Sequence, residues 1–500
     1  MNILTYNLCL KPVVFDLIKD NLSNENSIIY SIDFANTKKY YKKFIINNIF
    51  CDQRNSKKGL DHDKSKFEFY LNKKIISDLS KLELTVYRLM SRYEKDDKLF
   101  NFNSRKKHYF DLLKFAFGLI EKYKINKMIF FDYPHHMESL VLYEVAKYLK
   151  IDTTIISYLF LGEYRLVVDK KIDNRFEDFS LKNKINKFEK KNIEYFNKVK
   201  NKISHMKPFY LKENSNFYHL IYYFIKDIYR SFLNGLMQES NNFVKTKLGE
   251  KFQNLDFPSE ISSSINMFLN RLKILNLKKI YKKCVTKKPD LSKNYILFCP
   301  NLQPEASTLP MAGIYSDFEL ILETLLKELP DDWFIYYKEH PLVFNLLKES
   351  FLNKNKYYYN HITNQKIKFI DYKEDTFKLI DNSNLVVTPT GSVGLEAMIR
   401  GKKVAFFGNT WWFKFKDPNY IENSSDIKKM IDANLTKKRI SNDNFIDDYK
   451  RTFEQTVAWT GFQYDSYEKF VKDYNNNNVD KNNLEKMKNI IISKINNSNI

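Results

Sequence analysis

An α/β fold with two doubly wound halves is the class this sequence predicts, and three observations carry it. Apolar runs of strand length recur at Tyr295–Cys299, Trp333–Tyr337, Lys368–Ile370, Leu385–Val387 and Val404–Phe407. The gaps between them hold helix-length patterns, and strand, helix, strand in repetition implies a parallel sheet. Polar, turn-forming residues follow the runs, at the edge where such sheets hold ligands.

The first half is less regular but reads the same way. Strands are expected at Ile3–Leu8 and Ser27–Ile32, with a helix over Pro12–Leu22 between them. A basic stretch, Asn36–Asp61, includes the polar loop Asp52–Gly59. Helical patterns follow at Lys74–Tyr93 and Tyr109–Tyr123. Lys127–Phe131 then makes a short buried strand closed by Asp132-Tyr133-Pro134-His135-His136, before a helix over Glu138–Leu149 and a strand over Thr153–Tyr158.

From Arg165 to Asp290 the periodicity is helical and the loops are charged. Phe217–Met237 is its most apolar part and carries an aromatic stripe that includes Phe217, Tyr218, Tyr222, Tyr223, Phe224, Tyr229 and Phe232. Such a stripe either faces a core or, with Lys and Arg nearby, lies on a membrane surface. The basic link Lys279–Lys288 ends before Pro289. The expected division is therefore an α/β domain over residues 1–165, a largely helical extension over 166–288, a second α/β domain over 289–425, and C-terminal helices over 426–500. Within the last, Phe453–Tyr474 is expected to pack back across the first domain.

Composition narrows the function classes. Of the 500 residues 43% are apolar, enough for two or three domains with real cores. The formal net charge of +22 favours an anionic partner, yet the Lys residues are spread along the chain rather than gathered with aromatics. No nucleic acid partner is expected. Cys9, Cys51, Cys284 and Cys299 form no Cys-x-x-Cys pair, which argues against a disulfide framework or a structural zinc. The first residues lack a basic segment followed by an apolar core, and no apolar run reaches the ~18 residues of a spanning helix. A cytoplasmic protein is expected.

Three turns gather the chemistry. Thr390-Gly391-Ser392-Val393-Gly394 joins a strand to a helix starting near Val393, so its hydroxyls and N–H groups suit an anion; Ser and Thr here also suit plain helix capping, with Glu396 in the first turn. Lys338-Glu339-His340-Pro341 follows the second strand, with Pro341 starting the next helix. His340 is placed to donate to a phosphate or to serve a structural role. Asn301-Leu302-Gln303-Pro304-Glu305-Ala306-Ser307-Thr308 follows the first strand.

Taken together, Gln303-x-Glu305-x-Ser307, His340-Pro341, Thr390-Gly391-Ser392-Val393-Gly394-Leu395-Glu396-Ala397, Gly401-Lys402-Lys403-Val404 and Gly408 resemble the bacterial capsule polysaccharide synthesis family. That family includes Kdo transferases of the GT-B type, and the pattern is more distantly similar to bacterial sialyltransferases. The resemblance spans about Tyr295–Trp412. It implies two Rossmann-like domains facing a cleft, a CMP-sugar donor, a glycan or glycolipid acceptor and no cofactor or metal. It also implies that His340 contacts the phosphate or ribose side of CMP while Ser392, Thr390 and the helix start hold the phosphate. Gln303, Glu305 and Ser307 would face the same cleft, with Lys338, Pro341, Gly391 and Glu396 completing the nucleotide side. Glu305 stands where family members often carry Asp, so it serves either as a sugar contact or as a packing carboxylate.

In a GT-B enzyme the catalytic carboxylate comes from the first domain. Asp132, at the end of Lys127–Phe131, is the leading candidate and Glu163 the second. His135 and His136 lack a third partner for a metal and read as loop residues. Rival readings are a nucleotide-sugar epimerase, a glycan-assembly protein without turnover, and an RNA-binding protein. The positive charge would also suit peripheral contact with the inner membrane.

Overall fold

The computed structural model describes residues 2–7, 28–33, 47–50, 67, 69–90, 102–160, 164–170, 197, 199–201, 216–230, 257–286, 288–303, 305–346, 354, 356–413, 415–416, 418–435, 443–454, 456–458 and 481–496. The expected helix Pro12–Leu22, the loop Asp52–Gly59, Cys9, Cys51 and Glu163 lie outside these residues.

Two sheets organise the chain. The first contains β1 (Asn2–Tyr6), β2 (Ile28–Asp33), β3 (Asn47–Phe50), β4 (Lys127–Phe130), β5 (Asp152–Phe160) and β6 (Tyr164–Asp169). Its helices are α1 (Lys73–Asp78), α2 (Ser80–Met90), α3 (Phe102–Lys122) and α4 (Met137–Tyr148). Strands β3-β2-β1-β4-β5 are parallel, and β6 turns back antiparallel on β5. The sheet therefore continues to Asp169, four residues past the expected boundary, because the β5–β6 hairpin keeps Leu166 and Val167 in its buried surface. The single helix expected over Lys74–Tyr93 is broken at Leu79 into α1 and α2.

Two helices come next, α5 over residues 217–230 and α6 (Phe257–Cys284). They are tied by an Arg271–Asp227 ion pair at 2.6 Å and by the Phe224 and Phe268 rings. The aromatic stripe is not core-facing as a whole. Leu220 is buried, whereas Phe217, Tyr218, Tyr222 and Tyr229 are all exposed.

The second sheet holds β7 (Tyr295–Phe298), β8 (Phe334–Lys338), β9 (Ile367–Ile370), β10 (Leu385–Thr388), β11 (Val404–Phe406) and the short β12 (Asn419–Tyr420). The order β12-β11-β10-β7-β8-β9 is parallel throughout, a complete doubly wound arrangement. Buried on both faces, these strands read as unbroken apolar runs in sequence, as Ile296, Leu297 and Phe298 show. Helix α7 (Phe318–Glu328) covers one face with Phe318, Ile321, Leu322 and Leu325, the spacing of one helical stripe. Between β8 and β9 the described residues form only a 3₁₀ turn, Pro341–Phe344, and a four-residue helix, α8 (Tyr358–His361). Helices α9 (Thr376–Asn382) and α10 (Ser392–Ile399) flank β10.

The chain continues through α11 (Ser424–Ala433) and α12 (Asp443–Glu454) and returns to the first sheet. There β13 (Val457–Ala458) pairs antiparallel with β6, and the Lys127 ammonium donates to the carbonyl of Ile495 in α13 (Lys481–Asn496). The two halves also meet directly. Leu309 packs into the first core, while Arg88 of α2 donates to Ser316 at 2.8 Å and pairs with Asp317.

Candidate functional site

Each sheet reverses its winding at one place, and the second does so between β7 and β10. That crevice is the expected ligand position, and its floor is built by Asn301 just after β7. The Asn301 amide accepts the Thr390 N–H at 3.2 Å and donates to the Thr390 hydroxyl at 2.9 Å. That hydroxyl in turn donates to the Ser307 carbonyl, and Thr388 Oγ1 accepts the Gly391 N–H at 3.0 Å. The backbone passes so close that a Cβ on Gly391 would stand 2.6 Å from Thr388 Oγ1. Gly408 is confined in the same way, since its Cβ would meet Thr390 Cγ2 at 2.5 Å and Met311 O at 2.8 Å.

This wiring changes the part expected of Thr390. Its hydroxyl is committed to Asn301 and Ser307, so it fixes the turn and is not presented to an anion. Ser392, by contrast, is exposed as the first residue of α10, and the N-cap Gly391 places no side chain over the helix start. The N-terminal N–H groups of α10 and the Ser392 hydroxyl thus form the anion-suited end of the crevice. Glu396 lies beyond the first turn and makes no capping box. Enclosure pushes its carboxyl up to about 7 against the opposing pull of Lys338 and Arg400.

Beside β7, the end of β8 carries the His-Pro turn. Pro341 occupies the first position of the 3₁₀ turn and His340 caps it, its Nδ1 accepting the Leu342 N–H at 3.2 Å. A nitrogen that accepts cannot carry the proton, so the neutral ring holds its proton on Nε2. Lys338 is buried and its ammonium donates to the Tyr372 carbonyl at 3.0 Å, which makes it an anchor of the turn rather than a surface cation. Burial also lowers its pKa.

Glu339 was not among the expected site residues. It is fully buried and paired with the equally buried Lys354, and it accepts from Tyr359 at 2.7 Å and Tyr337 at 3.1 Å. Its other oxygen accepts the His340 N–H at 2.9 Å. Desolvation raises the Tyr337 and Tyr359 hydroxyls well above their usual range, so they act as donors to this carboxylate. No sequence signal distinguishes this Glu from an exposed loop residue, because the Lys354 and Tyr359 that bury and pair it come from about 15 and 20 residues downstream. Asn301 was legible only as part of a polar turn.

Of the three residues expected in the first turn, Gln303 is buried and donates to the Ser316 carbonyl at 2.5 Å. Ser307 reaches the crevice through its carbonyl. Glu305 is exposed, and its own carbonyl closes a helical turn by accepting Thr308 and Leu309.

On the first sheet the winding reverses between β1 and β4, and Asp132 follows β4 there. Asp132 is half-buried and its carboxylate accepts the Tyr133 N–H at 2.8 Å. His135 Nδ1 stands 2.7 Å from the Tyr133 carbonyl, which can only accept, so the basic nitrogen of the neutral ring is Nε2. His135 and His136 lie in the loop between β4 and α4, as the sequence reading expects. Arg165, adjoining the expected Glu163 site, is buried on Thr456 at 2.7 Å. Among the described residues no group of three or more His, Cys, Asp or Glu is gathered for a metal ion.

A crevice at the switch point, floored by Asn301 and opening on Ser392, sits inside a segment with a recognisable pattern. Residues 258–416 match the family described as capsule polysaccharide biosynthesis protein. The matched segment runs from the start of α6 to just beyond Trp412, and so holds all three polar turns. No curated protein matches the chain. Among solved structures, it is similar to Thermosulfurimonas dismutans KpsC, a beta Kdo 2,7 transferase, at 11% identity over 91% of this chain and 100% of that one, with a TM-score of 0.27. It is similar to a UDP-GlcNAc 2-epimerase from Methanocaldococcus jannaschii at 14% identity over 91% and 99%, TM-score 0.25. Anabaena Alr3699/HepE in complex with UDP-glucose gives 11% over 90% and 95%, TM-score 0.27. At such scores the neighbours assign this chain no ligand and no reaction.

Proposed function

We propose that the chain is a glycosyltransferase of surface polysaccharide synthesis, moving Kdo or a related acidic sugar from a CMP-activated donor to a glycan or glycolipid. The observation that carries this reading is the exposed Ser392 at the open start of α10, at the switch point of the capsule-family segment. There the phosphate of CMP would accept from the helix N–H groups and the Ser392 hydroxyl, while His340 Nε2–H would donate to its phosphate or ribose side. Preorganised donors of this kind stabilise a leaving CMP without a metal. Asp132, at the matching position of the first sheet, would take the proton of the attacking acceptor hydroxyl or act as nucleophile; Glu163 is the second candidate.

The test is acceptor-dependent release of CMP from CMP-Kdo by the purified chain. Asp132→Asn is expected to abolish turnover and keep donor binding. An epimerised sugar accumulating without any acceptor would contradict the transferase reading.

The exposed aromatics of α5, with Lys226 and Arg230 on that helix and Lys279, Lys282 and Lys283 on α6, support peripheral contact with an anionic membrane. No helix among the described residues is long and apolar enough to cross one. Flotation with vesicles containing anionic lipid, lost when Tyr218 and Tyr222 become Ser, is the expected result; equal flotation with neutral vesicles would contradict it.

A further inference from the structure

The carboxylate of Glu339, one residue before His340, divides its bonds between two directions. Oε2 accepts from the Lys354 ammonium, from the Tyr359 hydroxyl at 2.7 Å and from the Tyr337 hydroxyl at 3.1 Å. Oε1 accepts the His340 N–H at 2.9 Å. The first direction is a dry aromatic cage, with the Lys354 ammonium 5.1 Å from the Tyr358 ring and 5.5 Å from the Phe318 ring. The second leads into the His-Pro turn.

Two apolar side chains could fill the same space, and a buried ion pair exchanged for such a pair often loses no stability. They would not supply an acceptor for the His340 N–H. What the carboxylate adds beyond packing is one fixed, charge-assisted bond into the turn.

That bond completes a set. Upstream, the Glu339 N–H donates to the Tyr281 hydroxyl of α6 at 3.1 Å. Downstream, the His340 carbonyl accepts the Val343 N–H at 3.0 Å and the ring Nδ1 accepts the Leu342 N–H at 3.2 Å. With its N–H, carbonyl and Nδ1 all held, the half-buried His340 is fixed in orientation and carries its ring proton on Nε2.

We infer that Glu339 is a positioning residue for His340: anchored by Lys354 and the tyrosines, its carboxylate fixes the His340 backbone and with it the direction in which Nε2–H is presented. The link to nucleotide binding rests on the donor site proposed above; the effect on the ring does not.

Two double variants separate positioning from packing, since each removes both charges together. Glu339→Gln with Lys354→Met keeps an oxygen for the His340 N–H, whereas Glu339→Met with Lys354→Met does not. The ring is read by NMR of the full chain labelled in histidine, with His340 assigned among the 8 His residues by His340→Ala. The Gln variant is expected to keep the Nε2–H tautomer of the parent, and the Met variant to show both tautomers. CMP affinity by calorimetry is expected to stay within about two-fold in the Gln variant and to fall about ten-fold in the Met variant. In a His340→Ala background the Met variant is expected to cause no further fall, because Glu339 acts through that residue. Should the Met variant unfold, Tyr359→Phe removes one donor to the carboxylate and keeps its ring. It is expected to shift the tautomer balance in the same direction and to weaken CMP binding about three-fold, again only where His340 is present.

A parent-like tautomer in the Met variant, mixed tautomers in the Gln variant, or an equal loss of CMP affinity with and without His340 would each overturn the positioning role. A parent that binds no CMP, with the tautomer change still seen, removes the nucleotide reading and leaves the positioning role standing.

Discussion

Asn301 holds Thr390 through both ends of one amide, its Oδ1 accepting the backbone N–H and its Nδ2 donating to the hydroxyl. A backbone N–H can only donate, so this fixes the orientation of the amide as well as the position of the turn. Because Asn301 follows β7 and Thr390 follows β10, the contact spans the winding reversal itself.

Asn301→Ala leaves a buried N–H and hydroxyl without that partner. The expected loss of stability is about 1–3 kcal/mol in urea unfolding, accompanied by weaker nucleotide binding. Unchanged stability would show that the turn is held elsewhere.

His340→Ala and Ser392→Ala each remove one donor from the nucleotide side. Both are expected to weaken CMP binding about ten-fold or more, since a charge-assisted bond is worth about 1.5–3 kcal/mol; Ser392→Ala is expected to keep an unfolding midpoint close to the parent, whereas His340→Ala lowers it somewhat by removing the cap on the Leu342 N–H. Thr390→Val, which deletes a committed hydroxyl, is expected to lower stability instead. Full CMP affinity in both His340→Ala and Ser392→Ala would remove these residues from the site.

The Glu339–Lys354 pair has no solvent to fall back on. Breaking it by Lys354→Met is expected to cost about 3–5 kcal/mol, because a buried carboxylate loses its counter-charge. The double variant Glu339→Gln with Lys354→Met is expected to recover part of that loss. Additive losses in the double-mutant cycle would show that the two groups do not act as a pair.

Much of the second half was legible because parallel strands covered on both faces announce themselves as apolar runs. Leu385–Val387 and Tyr295–Cys299 were placed to within one residue of β10 and β7. β3 was missed because Asn47-Asn48-Ile49-Phe50 carries too few apolar residues to signal a strand. The site was half legible. Position after a strand located Ser392 and His340, but only the folded turn shows that Thr390 and Lys338 spend their polar groups on the protein itself.

Glu396 makes stability depend on pH. Its carboxyl titrates near 7 in the folded chain against an ordinary value of 4.5, so the folded state holds a proton that the unfolded state releases. Stability is fully present below about 4.5 and declines as pH rises toward about 7. Glu396→Gln is expected to flatten thermal midpoints across that window; an unchanged pH profile would assign the decline to another group.

The central claim is that the switch-point crevice takes a cytidine nucleotide, and calorimetric titration of the purified chain with CMP, set against UDP and GDP, tests it most directly. The account requires saturable CMP binding that exceeds UDP and GDP and falls in Ser392→Ala. Binding of UDP or GDP in preference to CMP, or no binding of any nucleotide, would contradict it.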